Sequence, residues 1–113
     1  MQKIYPMAVV TAPGRVEFQD RELPELRGGS VLVKVRAASI CGSGLHIFRG
    51  KHPSVPLPAA VGHEASGEVV SVGKDVSRIK EGDRVVVEPV ITCGKCASCR
   101  RGAFFLFFQT LRE

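Results

Sequence analysis

Val31, Val33 and Val35 fall on one side of the segment Val31–Arg36, and Lys34 and Arg36 fall on the other. That period of two predicts a half-buried strand. Met7–Thr11 and Arg15–Gln19 are two more β-prone runs, and Ala12-Pro13-Gly14 between them is a turn signal. Glu68–Val72 is a short valine-rich run ended by Gly73; Arg84–Glu88 is another, entered through Glu81-Gly82-Asp83. His52–Pro58 contains Pro53, Pro56 and Pro58 and is expected to be an extended loop. Ile40–Phe48 has room for one helical turn, but Gly42, Gly44 and Gly50 weigh against a long helix. Short strands with Gly and Pro turns predict a mainly β fold, a small barrel or sandwich, and no internal repeat is present. The last segment breaks the pattern. Ala103–Phe108 holds four of the six phenylalanines without polar alternation, so it is either buried or an exposed aggregation hazard.

The length of 113 residues allows one modest core. Apolar residues at 44% against 24% charged fit an ordinary globular chain, not a disordered one. No run approaches the roughly 18 apolar residues of a membrane helix, so no membrane partner is expected. The first residues, with Lys3, Pro6 and no extended apolar stretch, do not read as a secretory signal, and the expected location is cytoplasmic. The net charge of +5 is spread along the chain, densest at Arg100–Arg101, with the aromatics elsewhere. A nucleic-acid surface wants clustered cations with interleaved aromatics, so the charge reads as a solvated surface and no nucleic acid is expected.

The four cysteines are Cys41, Cys93, Cys96 and Cys99. Three of them have C-x-x-C-x-x-C spacing, which in a chain without a leader favours metal ligation over disulfides. In Gly62-His63-Glu64 an imidazole and a carboxylate stand side by side just ahead of a strand. Cys41, flanked by the small Gly42 and Gly44, can add a thiolate, and catalytic zinc takes three protein ligands with a fourth position open. Taken singly, His63 is as well explained as a packed or surface residue, and Cys41 as a small buried hydrophobe. His52 has no motif around it and is expected to be an exposed loop residue. No G-x-G-x-x-G follows a strand, and no βαβ unit of roughly 30 residues is present.

Together these segments resemble the medium-chain zinc-dependent alcohol dehydrogenase family. Gly62–Val76 (GHEASGEVVSVGKDV) matches its zinc signature, with Gly67, Gly73 and Val76 at the expected offsets; Cys41–His46 is similar to C-G-[ST]-D-x-H. Gly82-Asp83-Arg84-Val85 resembles its G-D-R-V strand entry, and Cys93–Gly102 its cysteine lobe. The resemblance runs from about Met7 to Gly102. It implies a GroES-like, partly open β-barrel over residues 1–102, with a zinc lobe at about 88–102; the residues themselves set apart a divergent Phe-rich tail at 103–113 and contain no Rossmann domain. It further implies that Cys41 and His63 ligate catalytic zinc. Glu64 stands beside the metal in many members and is a direct ligand in the sorbitol dehydrogenase branch. Ser43 occupies the position of the hydroxyl that touches the alcohol oxygen, and His46 that of the outer end of a proton relay. Cys93, Cys96 and Cys99 fall in the structural-zinc lobe. The implied chemistry is oxidation of a primary or secondary alcohol or polyol to a carbonyl, with NAD or NADP as hydride acceptor. Full-length relatives are homodimers or homotetramers. Glu64, with the Glu88-Pro89 entry to the lobe, leans toward the sorbitol and threonine dehydrogenase branches.

Three departures from the family follow. Gly44 stands where a carboxylate usually orients the ligating histidine, which predicts weaker or mis-oriented zinc. The fourth cysteine of C-x-x-C-x-x-C-x7-C falls on Phe107. The nucleotide-binding residues are not in the sequence, so these 113 residues by themselves are expected to be inert. Other classes stay open. Cys93, Cys96 and Cys99 begin a ferredoxin-like iron–sulfur run, but position 103 is Ala103 where the next Cys should stand. A zinc ribbon needs a second C-x-x-C knuckle, which is absent. A metal-free interaction fragment is the third alternative.

Overall fold

The computed structural model describes residues 3–89 and 92–102. The Phe-rich run from Ala103 and the tail expected at 103–113 lie outside the described residues. Six strands and two short helices follow in order: β1 Ile4–Ala12, β2 Arg15–Glu22, β3 Val31–Ser39, α1 Gly42–Phe48, β4 Ala59–Ala60, β5 Glu64–Val72, β6 Arg84–Val86 and α2 Ala97–Arg100. They form two antiparallel sheets, β2-β1-β4 and β3-β5-β6. The fold is mainly β as expected, and the sheets do not close into a complete barrel among the described residues.

The first hairpin forms where the turn signal predicts it. Pro13 has the fixed φ suited to the first central position of a turn, and Gly14 takes φ 75° at the second. Val10 then pairs with Val16 and Met7 with Gln19. β3 is longer than the valine alternation suggests, and its period breaks: Val31 and Val33 are half-buried, whereas Val35 is exposed. Val33 and Val35 are in unbroken register opposite Val69 and Gly67, so they share a face; Val33 has a valine opposite it, whereas Val35 has a glycine with no side chain to cover it.

Ile40–Phe48 departs most from expectation. Seven residues, about two turns, are helical despite Gly42 and Gly44. Each glycine costs about 1 kcal/mol in a helix. Docking offsets that cost: the Phe48 carbonyl accepts the Gly14 N–H at 2.7 Å, tying the helix end to the first hairpin. Gly50 then takes φ 70° and ends the helix. The Pro-rich stretch is a loop as predicted; His52 in it is half-buried, with Nδ1 accepting the Ser54 N–H at 3.2 Å.

Val10 and Val69, one from each sheet, are fully buried, and Val9 nearly so. Two motif glycines have a packing reason. A Cβ at Gly67 would collide with the Lys34 carbonyl across the β3–β5 pair, and one at Gly73 with the carbonyls of Arg27 and Gly28. Backbone cannot yield as a side-chain tip does, so Gly67→Ala is expected to cost about 3 kcal/mol. Urea unfolding of the two proteins checks this; an unchanged midpoint contradicts it. Among the described residues no helix is long and apolar enough to cross a membrane.

Candidate metal centre

Strand pairing builds the first cluster. β3 and β5 run antiparallel, with Ser39 opposite Glu64, so the exit of β3 lies beside the entry of β5. Cys41 comes two residues after that exit and His63 one residue before that entry. Residues 22 apart in sequence are thereby brought face to face. One ligand atom each from Cys41, His63 and Glu64 lie within 4.8 Å of one another, and all three side chains are half-buried. β4 contributes to the placement: Ala59 and Ala60 pair with Val10 and Val9, and Gly62 at φ 109° turns the chain into His63.

The neighbours of this cluster are specific. The Ser43 hydroxyl, in the first turn of α1, lies 3.4 Å from the Cys41 sulfur and donates to it. The Ser39 hydroxyl donates a hydrogen bond to the Glu64 carboxylate. Ser39 was not legible as a site residue, since no motif surrounds it and only the strand register brings it to Glu64. His46, one turn beyond Ser43 on α1, is exposed.

A cavity of about 450 Å³ opens beside the cluster, with Cys41, His63 and Ser39 at its edge. The rest of its wall is apolar, including Val10, Val16, Ile40, Leu45, Phe48 and Val61. Gly44 also lines it, whereas Ser43 and His46 do not. On the other side of the β3–β5 junction a more open depression is bordered by His63, Glu64 and Val86.

A thiolate, an imidazole and a carboxylate are ordinary zinc donors, and three of them leave the open position of a catalytic centre. The donor set of Cys41, His63 and Glu64 therefore fits zinc.

The second cluster follows β6. The Val87 N–H bonds the Ala65 carbonyl at 2.9 Å, leading the chain off the sheet toward the cysteine lobe. Cys96 caps the four-residue α2, its sulfur accepting the Cys99 N–H at 3.4 Å. Cys93 accepts the N–H groups of Lys95 and Cys96 at 3.4 and 3.3 Å. Those two amides, led by that of Lys95, lower the Cys93 thiol to about 7. The three sulfurs lie within 4.8 Å of one another, with Cys99 buried and the other two half-buried. The group holds three donors among the described residues, and Phe107 stands where the family pattern has its fourth cysteine. These three thiols by themselves are one donor short of a four-thiolate zinc site.

Comparison with known proteins adds the family context. The profile of the alcohol dehydrogenase GroES-like domain matches residues 27–110. The sorbitol dehydrogenase of Bacillus subtilis is 39% identical over 102 residues, covering 88% of this chain and 29% of that protein. The L-threonine 3-dehydrogenase of Legionella pneumophila is 42% identical over 102 residues, covering 88% of this chain and 30% of that protein. A crystal structure of a zinc-binding dehydrogenase from Sinorhizobium meliloti, bound to NADP, superposes with a TM-score of 0.78 at 35% identity, over 94% of this chain and 31% of that one. The chain thus spans less than a third of the length of these relatives.

Proposed function

We infer what this chain does from one premise: it belongs to the alcohol dehydrogenase GroES-like domain family. Its part in an alcohol dehydrogenase is to hold catalytic zinc on Cys41, His63 and Glu64 and to present an alcohol to it from the adjoining cavity. The observation that carries this is the convergence of thiol, imidazole and carboxylate within 4.8 Å at the mouth of an apolar cavity. Bound there, zinc supplies Lewis acidity that makes an alcohol hydroxyl easier to deprotonate near neutral pH.

The chain's own residues do the rest. Cys41 and His63 fix the metal position because both leave the ends of paired strands. Glu64 is steered by the Ser39 hydroxyl, which holds one carboxylate oxygen and leaves the other free to ligate. Ser43 is one helical turn from His46, the spacing at which two side chains share a helix face. Ser43 stands beside the Cys41 sulfur, outside the cavity wall, so its assigned part is to relay: its hydroxyl accepts the alcohol proton as it passes its own toward the exposed His46, which releases one to solvent. Nicotinamide binding is assigned to residues outside these 113, so turnover by this chain alone is not expected.

The apolar wall also selects the substrate. Among the described residues its lining side chains with hydrogen-bonding groups are Ser39, Cys41 and His63, and further hydroxyl groups buried against the apolar ones gain no side-chain partner. An alcohol with an apolar substituent is therefore favoured over a polyol. The test uses a chain with Cys93, Cys96 and Cys99 changed to Ser and loaded with one Co2+. Cyclohexanol is expected to shift its visible absorption at lower concentration than sorbitol does. Equal response to both, or none to either, contradicts the assignment.

A further inference from the structure

We propose that Ser39 is a positioning residue that keeps the fourth position of the metal centre open, by restricting Glu64 to ligation through a single oxygen. This rests on zinc being held by Cys41, His63 and Glu64, and adds what decides whether an alcohol can join them. A carboxylate has two oxygens able to ligate. Cys41, His63 and one Glu64 oxygen leave a position for the alcohol, and the second Glu64 oxygen competes for it.

Three observations carry the assignment. The first is the bond itself: the Ser39 hydroxyl donates to Oε2 of Glu64. A serine hydroxyl has one proton to donate, and here it is committed to that carboxylate. Among the described residues no Lys, Arg or His forms an ion pair with Glu64, so the hydroxyl has no cation to compete with.

The second is that the strands impose the pairing. Ser39 and Glu64 stand opposite each other at the end of the β3–β5 ladder. Side chains directly opposite in an antiparallel pair start about 4.5–5.5 Å apart at Cβ, so hydroxyl and carboxylate meet without rearrangement of either strand.

The third is place. Ser39 and His63 border both the apolar cavity and the more open depression across the β3–β5 junction, whereas Cys41 borders the former and Glu64 the latter. An alcohol in the cavity and the Glu64 carboxylate therefore approach the centre from opposite sides, with Ser39 on the boundary. Released from Ser39, the second oxygen is free to turn inward and close the position from the outer side.

The experiment takes as parent the full chain with Cys93, Cys96 and Cys99 changed to Ser and loaded with one Co2+. Its visible band is expected to have the intensity of a four-coordinate ion and to shift on titration with cyclohexanol. Ser39→Ala is expected still to hold one Co2+, with the weaker band of a higher coordination number. It is also expected to need about tenfold more cyclohexanol for the same shift, the scale on which orienting partners act. Ser39→Thr keeps the hydroxyl and is expected to behave as the parent. In a Glu64→Gln background, which has one oxygen and no second ligand, Ser39→Ala is expected to change neither band nor cyclohexanol response. A parent that binds no Co2+ contradicts the zinc centre, and this proposal falls with it. A parent that binds Co2+ and cyclohexanol beside an unchanged Ser39→Ala overturns this proposal alone, as does an effect of Ser39→Ala that persists in Glu64→Gln.

Discussion

Cys41→Ser is expected to lower zinc affinity at the Cys41–His63–Glu64 centre by more than about a hundredfold. Loss of a residue that merely orients a metal ligand typically costs 10–100-fold, and Cys41 is itself the thiolate donor. Serine preserves size and the β-to-helix junction, so α1 still begins after residue 41 with the Leu45 N–H bonded to its carbonyl at 3.2 Å. Zinc competition titration in a background lacking the lobe cysteines isolates this centre, with circular dichroism as the control for folding. His63→Ala is expected to act in the same direction. Unchanged affinity in both variants means that the convergence of these side chains has no metal-binding consequence.

Gly44→Asp is expected to act the opposite way and raise zinc affinity by about tenfold or more, the scale on which orienting partners act. Gly44 lines the same cavity as His63, and a Cβ built there meets nothing within 4 Å, so the larger side chain can be accommodated. The position is in the first turn of α1, which has no acidic residue, and a carboxylate there also favours the helix by about 0.3–1 kcal/mol. The two effects separate experimentally. Urea unfolding of the metal-free protein reads the helix contribution, and zinc competition reads the orienting one. A gain in stability with no gain in affinity sinks the proposed role of this position.

Cys41, His63 and Glu64 stood out in the sequence as candidates because short motifs surround them, and the β3–β5 register explains why these distant motifs meet. The hairpin around Pro13 and Gly14 was legible for a local reason: both residues have backbone preferences that a turn uses. α1 was underestimated because its support is not local. Gly42 and Gly44 argue against a helix, and the bond from Gly14 to Phe48 that favours it crosses from another element. The exposed Val35 was missed because a hydrophobic alternation does not show that the residue opposite it is Gly67, which has no side chain to cover it. α2 escaped notice because four residues carry no periodicity, and it is the Cys96 sulfur that caps it. Ser39 was invisible for the same reason as α1, since its partner Glu64 is 25 residues away.

The apolar cavity sharpened the substrate reading. Family resemblance allowed alcohols and polyols alike, whereas the proposed preference for an apolar alcohol rests on Leu45, Phe48 and Val61 in the cavity beside the metal cluster. Sequence could not give this, because Val10, Phe48 and Val61 come from separate segments. The glycines of the zinc signature gained a physical explanation in the same way. Gly67 and Gly73 stand where neighbouring carbonyls leave no room for a Cβ, so they serve the sheet that positions His63.

The central claim is that Cys41, His63 and Glu64 together hold zinc. Zinc-edge X-ray absorption of the chain with Cys93, Cys96 and Cys99 changed to Ser tests it most directly. The predicted spectrum has one sulfur at about 2.3 Å and a nitrogen and oxygen shell at about 2.0–2.1 Å, at one zinc per chain. A chain that retains no zinc, or zinc with no sulfur neighbour, contradicts it.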